Sequence, residues 1–225
     1  MKYNRLLTND DLNRFKSDIS VYKRDFPHHL WDKDDAILKW MSILDEVVNI
    51  NKLPLKIVDM GCGSGCVPHI LSKLGHDVIG VDSELKYICQ CKHYSSAKLI
   101  VNDVFDELKN MESESIDVFI DSCAVTHFDI TFDESNDVYN RGWTRIGQQV
   151  KRILKPGGRF IFASDCKTEN NYGEFIKPKN IIKTMERCGL TLDGGYDDTY
   201  EHQNDVRTFV YYENSLKVVC LTFLN

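Results

Sequence analysis

The residues that could do chemistry are concentrated in one glycine-rich turn, within KIVDMGCGSGCVPHIL at residues 56–71. Gly61, Gly63 and Gly65 follow a short apolar run and spell G-x-G-x-G. A triphosphate-binding loop needs Lys and then Ser or Thr after its last glycine, whereas Gly65 is followed by Cys66. A dinucleotide-binding fingerprint needs G-x-G-x-x-G, and Cys66 occupies the position of its third glycine. Both phosphate-binding interpretations are therefore disfavoured.

Three acidic residues lie at the ends of predicted strands around this turn. Asp59 stands two residues before the first glycine, Asp82 ends VIGVD, and Asp103 follows KLIVN. A carboxylate at Asp59 would repel a pyrophosphate and attract a cation. Asp82 or Asp103 alone could be a helix cap, but open α/β sheets bind their ligands at the carboxyl ends of the strands. The implied ligand is nucleoside-like at one end and positively charged at the other.

The pattern D-x-G-x-G-x-G, with acidic residues after the second and third strands, resembles the class I S-adenosylmethionine-dependent methyltransferases. The resemblance runs from about Leu53 to the end of the sequence. It implies S-adenosylmethionine as the cofactor, with a nicotinamide dinucleotide as the weaker alternative. In the family pattern, Asp82 accepts hydrogen bonds from both ribose hydroxyls, Asp103 receives the adenine amino group, and Val104 packs on the adenine ring. The cofactor-binding residues expected on this basis are Asp59, Met60, Gly61, Cys62, Gly63, Gly65, Asp82, Ser83, Asp103, Val104 and Asp121.

The catalytic residue is sought after the fourth predicted strand, because the acceptor must approach the cofactor methyl there. His127 lies six residues past Asp121 and is the candidate base, since an imidazole ordinarily titrates near the operating pH. An exposed or helix-capping histidine is the structural alternative. Weaker candidates for substrate contact are Tyr22, Trp31, Asp165 and His202.

The expected reaction is methyl transfer to a small molecule. Methyl transfer from a sulfonium is an in-line displacement that depends on positioning and on exclusion of water. The segment after the fourth predicted strand lacks the Asn/Asp-Pro-Pro-Tyr/Phe motif of family members that methylate exocyclic base amines. O-methylation of a metabolite or sugar-like hydroxyl is favoured. The alternatives are N-methylation of a small amine and a catalytically silent cofactor-binding subunit that works through a partner.

The periodicity of the sequence supplies elements that could position these residues. Apolar residues recur at helical spacing between Asp32 and Asn51, and acidic residues crowd the first turn, which predicts an amphipathic helix. Short apolar runs and helix-like segments then alternate, which indicates an α/β fold with a doubly wound, mostly parallel sheet. The predicted strands are LKIVDM, DVIGVD, KLIVND, IDVFID, RFIFASD, VRTFVYY and LKVVCLTFL; the predicted helices are VPHILSKLG, SELKYICQCKHYS, RIGQQVKRILKPGG and KPKNIIKTMERCGL.

The resemblance implies a Rossmann-like sheet of seven strands in the order 3-2-1-4-5-7-6, with strand 7 antiparallel. We expect one methyltransferase domain over residues 1–225. Residues 1–52 would form an N-terminal helical cap and the first helix, and residues 53–225 would form the core.

Composition limits the classes of partner. Of the 225 residues, 42% are hydrophobic and 28% are charged, as in ordinary globular proteins. The formal charge of −6 and the scattered basic residues argue against a nucleic-acid surface. No apolar run approaches the ~18 residues that a membrane span needs, and the N-terminus is too polar for a secretory signal. The oligomeric state and the identity of the acceptor stay open.

The eight cysteines include no C-x-x-C pair. Without an export signal, we interpret them as reduced thiols of a cytoplasmic protein and expect no metal site. Zinc binding through Cys62, Cys66, Cys89, Cys91 and nearby histidines is the weaker alternative, because the spacing typical of zinc ligands is absent.

Overall fold

The computed structural model describes residues 3–25, 32–91, 95–125, 132–133, 138–139, 141–166, 177–202, 208–211 and 214–225. The strands are β1 (Arg5–Leu6), β2 (Lys56–Met60), β3 (Asp77–Asp82), β4 (Lys98–Val101), β5 (Ile116–Ser122), β6 (Phe132–Asp133), β7 (Val138–Tyr139), β8 (Leu154–Cys166), β9 (Thr191–Leu192), β10 (Thr208–Tyr211) and β11 (Asn214–Leu224). The helices are α1 (Asn9–Asp25), α2 (Asp34–Val48), α3 (Cys66–Lys73), α4 (Leu85–Cys91), α5 (Val104–Asn110), α6 (Arg141–Ile153) and α7 (Pro178–Arg187), with a 3-10 helix at Asp198–His202.

The main sheet follows the order β1-β11-β8-β5-β2-β3-β4, and β9 and β10 also pair with β11. The strands β2, β3, β4, β5 and β8 are parallel to their neighbours in this set, whereas β11 is antiparallel to β8. The predicted α/β class, the order of the first five core strands and the antiparallel last strand are therefore confirmed. The carboxyl ends of β2 and β5 lie side by side in this order, which brings their following loops together.

The outer edge of the sheet differs from the prediction of seven strands. The sheet has nine strands among the described residues, because three short strands share the edge of β11. Along β11, β10 pairs with residues 214–217, β1 with residues 219–220, and β9 with residues 223–224. The four-residue β10 is too short to cover the eleven-residue β11. Strands β1 and β9 pair with residues of β11 that β10 leaves uncovered, whose backbone groups need partners.

Both faces of the sheet are apolar, which explains why helices cover both. In β11, Val218 and Cys220 pack into one hydrophobic cluster, and Val219 and Leu221 pack into the other. Successive side chains of a strand point to opposite faces, so such a strand needs a cover on each side. Residues of α1, α2 and α3 belong to the first cluster, and residues of α5, α6 and α7 belong to the second.

The N-terminal segment is built into the core and the sheet edge. Leu7 donates its backbone N–H to the carbonyl oxygen of Val218 at 2.9 Å. Tyr3, Leu6 and Phe15 are almost completely buried. The predicted N-terminal helix is present as α1, and the strand that precedes it contributes to the sheet.

Among the residues that the structure describes, no helix combines the length and the apolar composition needed to cross a membrane.

Candidate active site

A cavity of about 150 Å³ lies at the carboxyl ends of β2 and β5. The turn between β2 and α3 forms most of its wall, and α2 and the end of β5 close it. Its volume is small beside the roughly 300–1,000 Å³ of a complete ligand pocket, so it accounts for one end of a cofactor. The lining residues are Trp40, Asp59, Gly61, Cys62, Gly63, Ser64, Cys66, Val67 and Ser122.

The predicted glycine turn has the backbone conformation that its residue types require. Gly61, Gly63 and Gly65 all have positive φ angles, of 62°, 52° and 74°. Residues other than glycine rarely adopt this left-handed backbone conformation. Gly65 also stands at the N-terminal cap of α3, so the turn delivers the chain directly into the helix.

Asp59 presents an unpartnered carboxyl group in the wall of this cavity. It is 1% exposed, and its Oδ1 atom has no hydrogen-bond partner among the described residues. Burial, followed by the charges of Asp121 and Asp82, raises the pKa of Asp59 well above its ordinary value. A buried carboxyl group without a partner is unfavourable, and a cation placed in the cavity would stabilise its ionised form. The site therefore fits a ligand that brings a positive charge to Asp59.

Asp82 joins the end of β3 to the glycine turn. Its Oδ2 atom accepts a hydrogen bond from the backbone N–H of Gly63 at 2.8 Å, and its Oδ1 atom accepts one from that of Glu84, also at 2.8 Å. Ser83 is exposed beside it. The carboxylate thus holds the turn in place at the edge where the resemblance puts the ribose.

Asp103 caps helix α5, which is the structural role that the sequence left open. Its Oδ1 atom accepts hydrogen bonds from the backbone N–H groups of Phe105 at 2.8 Å and Asp106 at 3.2 Å. The backbone N–H of Asn102 donates to the carbonyl oxygen of Asp82 at 3.1 Å, which keeps the ends of β3 and β4 together. Val104 is buried in the hydrophobic cluster beneath α5.

Asp121 organises the turn that follows β5. Its fully buried carboxyl group accepts hydrogen bonds from the backbone N–H groups of Ala124 at 2.7 Å and Val125 at 3.3 Å. This turn places Ala124 against Gly61 of the glycine turn. Met60, the last residue of β2, is fully buried in the hydrophobic core. The ends of β2 and β5 therefore form one continuous wall of the cavity.

Comparison with known proteins identifies the family. A family described as "Methyltransferase domain" matches residues 52–209, which is more than half of the chain. The chain belongs to this methyltransferase family. The resemblance to S-adenosylmethionine-dependent methyltransferases is thereby confirmed, together with the enzyme class and the cofactor. The nicotinamide alternative is set aside.

Individual relatives are distant. The chain is 24% identical over 150 residues to the ubiquinone biosynthesis O-methyltransferase of Sinorhizobium fredii, which covers 61% of this chain and 60% of the relative. It is 26% identical over 167 residues to the mitochondrial ubiquinone biosynthesis O-methyltransferase of Rattus norvegicus, which covers 62% of this chain and 45% of the relative. The chain thus spans about half the length of these curated relatives.

A solved structure shares the fold. The TehB-like S-adenosylmethionine-dependent methyltransferase from Corynebacterium glutamicum superposes with a TM-score of 0.55 at 19% identity. The superposition covers 95% of this chain and 97% of that chain. At this identity the likeness supports the fold alone.

The residues around the cavity fit S-adenosylmethionine, whose sulfonium supplies the methyl group when it is bound. Asp59 lines the cavity with a buried carboxyl oxygen that has no hydrogen-bond partner in the described part of the chain, and it would gain a counter-ion from the ammonium or sulfonium group of the methionine part. Asp82 is the last residue of β3, which pairs with β2, the strand that contains Asp59. We propose that the residues expected from the resemblance hold the cofactor here, with Met60 and Val104 contributing from the buried side.

The variant Asp59→Asn is expected to be more stable than the parent at neutral pH. Asp59 has a raised pKa in the folded state, so its contribution to stability is complete below its unfolded pKa, near 4, and is lost as the pH rises through the folded pKa. Asparagine removes this loss. The difference in free energy of unfolding between variant and parent should therefore grow with pH, as measured by urea denaturation between pH 4 and pH 8.

Compared with the parent, the same variant should lose more affinity for S-adenosylmethionine than for its demethylated product, which lacks the sulfonium charge. We expect the ratio of the two affinities to change by roughly tenfold, about 1.4 kcal/mol. Calorimetry with both ligands measures it. An unchanged ratio would show that Asp59 does not sense the sulfonium.

The structure describes only some of the candidate catalytic and substrate-binding residues. His127 and Trp31 lie outside the described residues, and so does the side chain of His202. Tyr22 is half-buried against the hydrophobic cluster of α1 and α2 and is not among the residues lining the cavity. Asp165 lies at the carboxyl end of β8, where it meets Lys39.

Sequence reasoning missed the contributions of α2 and of the end of β5. Trp40 and Ser122 line the cavity, and Lys39 and Cys123 lie next to them in the chain. A usable signal was present in α2, where Asp35, Lys39, Ser42 and Glu46 form a polar stripe at helical spacing. Three members of that stripe are buried: Lys39, Ser42 and Glu46.

Within the described ranges, no group of three or more histidine, cysteine, aspartate or glutamate side chains is arranged to hold a metal ion. The side chains of Cys89 and Cys91, named in the zinc alternative, lie outside those ranges.

Proposed function

We propose that the chain transfers the methyl group of S-adenosylmethionine to a hydroxyl group of a small molecule. The observation that carries the donor side is the buried, unpartnered carboxyl group of Asp59 in the cavity wall. The acceptor side is supported by the relatives from Sinorhizobium fredii and Rattus norvegicus, which are named O-methyltransferases.

The charges around the cavity favour a neutral acceptor. The carboxyl groups of Asp59, Asp121 and Asp165 gather at the carboxyl edge of the sheet, with Lys39 already paired there. An acceptor that carries a phosphate or a carboxylate would meet an excess of negative charge. A phenol, catechol or sugar-like alcohol avoids this repulsion. The formal charge of −6 likewise disfavours nucleic acid as the acceptor.

Labelled methyl transfer tests this function. The purified chain is incubated with S-adenosylmethionine carrying a tritiated methyl group and, separately, with catechol, phenol, a neutral sugar, a small primary amine and a DNA duplex. We expect label in a base-stable ether of a hydroxyl compound. Label only in the amine would favour the N-methyltransferase alternative. Binding of the cofactor without transfer to any probe would favour a subunit that works through a partner.

We further propose a cytoplasmic location. The cysteines whose side chains the structure describes form no disulfide bonds: Cys62, Cys66, Cys123, Cys166, Cys188 and Cys220. Reduced cysteines are typical of proteins in reducing compartments.

A further inference from the structure

A buried cation lies beside the cavity, at the end of α2 that faces the carboxyl edge of the sheet. Lys39 is 8% exposed. Its Nζ atom lies 2.9 Å from Oδ2 of Asp165 on β8 and 3.2 Å from Oδ2 of Asp35, one turn earlier on α2. Burying such a network is unfavourable unless it is well paired, and replacement by apolar residues is often no less stable. The arrangement therefore calls for a role other than stability.

Lys39 keeps its positive charge in this position. Burial by itself would lower the pKa of Lys39, but the neighbouring Cys123, Asp165 and Asp35 outweigh burial and raise that pKa above its ordinary value. Lys39 therefore presents a positive charge to Asp165 at neutral pH.

The two carboxylate oxygens of Asp165 have different surroundings. Its Oδ2 atom accepts hydrogen bonds from Lys39 at 2.9 Å and from the thiol of Cys123 at 3.4 Å. Ser164 in turn donates its hydroxyl to Sγ of Cys123 at 3.4 Å. No described residue donates a hydrogen bond to Oδ1, and the side chain is 19% exposed. One oxygen is therefore anchored while the other is open to a ligand.

Asp165 is next to the residues that line the cavity. Cys123, which contacts it, follows the lining residue Ser122, and Lys39 precedes the lining residue Trp40. The other carboxyl groups of the site are unsuited to meet an acceptor. Asp59 and Asp121 are 1% and 0% exposed, and both oxygens of Asp82 are bonded to backbone N–H groups.

We propose that Asp165 removes the proton of the acceptor hydroxyl and that Lys39 is a positioning residue, which holds Oδ2 so that Oδ1 faces the acceptor. This inference rests on the proposed function. As the O–H bond breaks, its proton passes to Oδ1 of Asp165. The acceptor oxygen forms the new bond to the methyl carbon, and the electron pair of the broken carbon–sulfur bond stays on sulfur. Asp165 then releases the proton to water.

The described neighbours of Asp165 set its electrostatic surroundings. Lys39 and Asp35 approach from α2, Cys123 from the turn after β5, and Ser164 from β8 itself. The residue opposite it on β11 is Val218, which is uncharged.

The variant Asp165→Asn keeps the shape of the side chain and removes its basicity. We expect methyl transfer to catechol to fall by about 10²–10⁴-fold, because the lost proton transfer belongs to the transition state. Binding of the demethylated cofactor, measured by calorimetry, should stay within threefold of the parent. The matched control is Asp77→Asn, which changes an exposed carboxylate at the amino end of β3 and should leave the rate within a few-fold.

The variant His127→Ala separates Asp165 from the histidine candidate. If Asp165 takes the proton, methyl transfer to catechol by His127→Ala should be at least about tenfold faster than that by Asp165→Asn. An inactive His127→Ala together with an active Asp165→Asn would overturn the proposal.

Alkylation of Cys123 supplies a measurement that needs no methyl transfer. Iodoacetamide reacts with thiolates, and mass spectrometry assigns the modified residue. If Lys39 and Asp165 both act on this thiol, Lys39→Met should slow its alkylation at pH 8 by threefold or more, and Asp165→Asn should accelerate it. Unchanged rates in both variants would refute the cluster. Failure of the proposed function would look different: a parent protein that binds the cofactor but methylates no hydroxyl probe.

Discussion

Replacing Gly61 with alanine is expected to weaken S-adenosylmethionine binding by more than 100-fold. The added Cβ atom would lie 2.2 Å from Cβ of Ala124, and Gly61 also has a φ angle of 62°. Neither contact partner is a flexible side chain, so one of the two loops must move. Ala124 is fixed by its hydrogen bond to Asp121, so the displacement would disturb both strand ends that form the cavity wall. The left-handed conformation costs a residue with a side chain roughly 1–2 kcal/mol, and overpacking costs about 1–3 kcal/mol.

Two further variants isolate the cause. Gly75 has a φ angle of 94°, and a Cβ atom added there would have no described atom within 4 Å beyond its chain neighbours. Gly75 lies away from the cavity, so Gly75→Ala should lower stability without affecting cofactor affinity. The double variant Gly61→Ala with Ala124→Gly removes the overlap and should recover most of the binding. Calorimetry and urea denaturation measure both quantities. If the double variant binds no better than Gly61→Ala, the contact with Ala124 is not the cause.

The variant Asp82→Ala is expected to lose about 2–4 kcal/mol of cofactor binding, a 30- to 800-fold weaker affinity. Two contributions add. The ribose hydroxyls would lose the charged acceptor that we propose for them. In addition, the backbone N–H of Gly63 would lose its 2.8 Å hydrogen bond, so the glycine turn would no longer be tied to β3.

The control for this variant is on the same strand. Asp77→Ala lies at the amino end of β3, where the side chain is exposed, and should leave affinity unchanged. Calorimetry with the demethylated cofactor compares the variants at equal folded fraction. An affinity of Asp82→Ala within a few-fold of the parent would show that the ribose is held elsewhere.

Local patterns were sufficient to predict the central elements. The helical spacing between residues 32 and 51 predicted a helix, and α2 spans Asp34–Val48. The run LKIVDM predicted a strand, and β2 spans Lys56–Met60. The predicted helix RIGQQVKRILKPGG is shifted, because α6 ends at Ile153 and Leu154 already pairs with Ile116 of β5. Helix α5, which Asp103 caps, was not predicted.

The sheet edge depended on contacts that no local pattern records. Strands β1 and β9 are two residues each. Segments this short have no periodicity, and they form because the long β11 offers them unpaired backbone groups. The count of nine strands therefore emerges only when the chain is folded.

By itself, the sequence determined the glycine turn, the acidic strand ends and the family, because each depends on residues close together in the chain. Only the tertiary structure decided which carboxyl groups are buried, which are tied to the backbone, and which meet a cation. Lys39 and Asp165 are 126 residues apart, and the polar stripe of α2 looks like a solvated helix face until α2 packs on β8. Burial makes their charges interact strongly, because water no longer screens them.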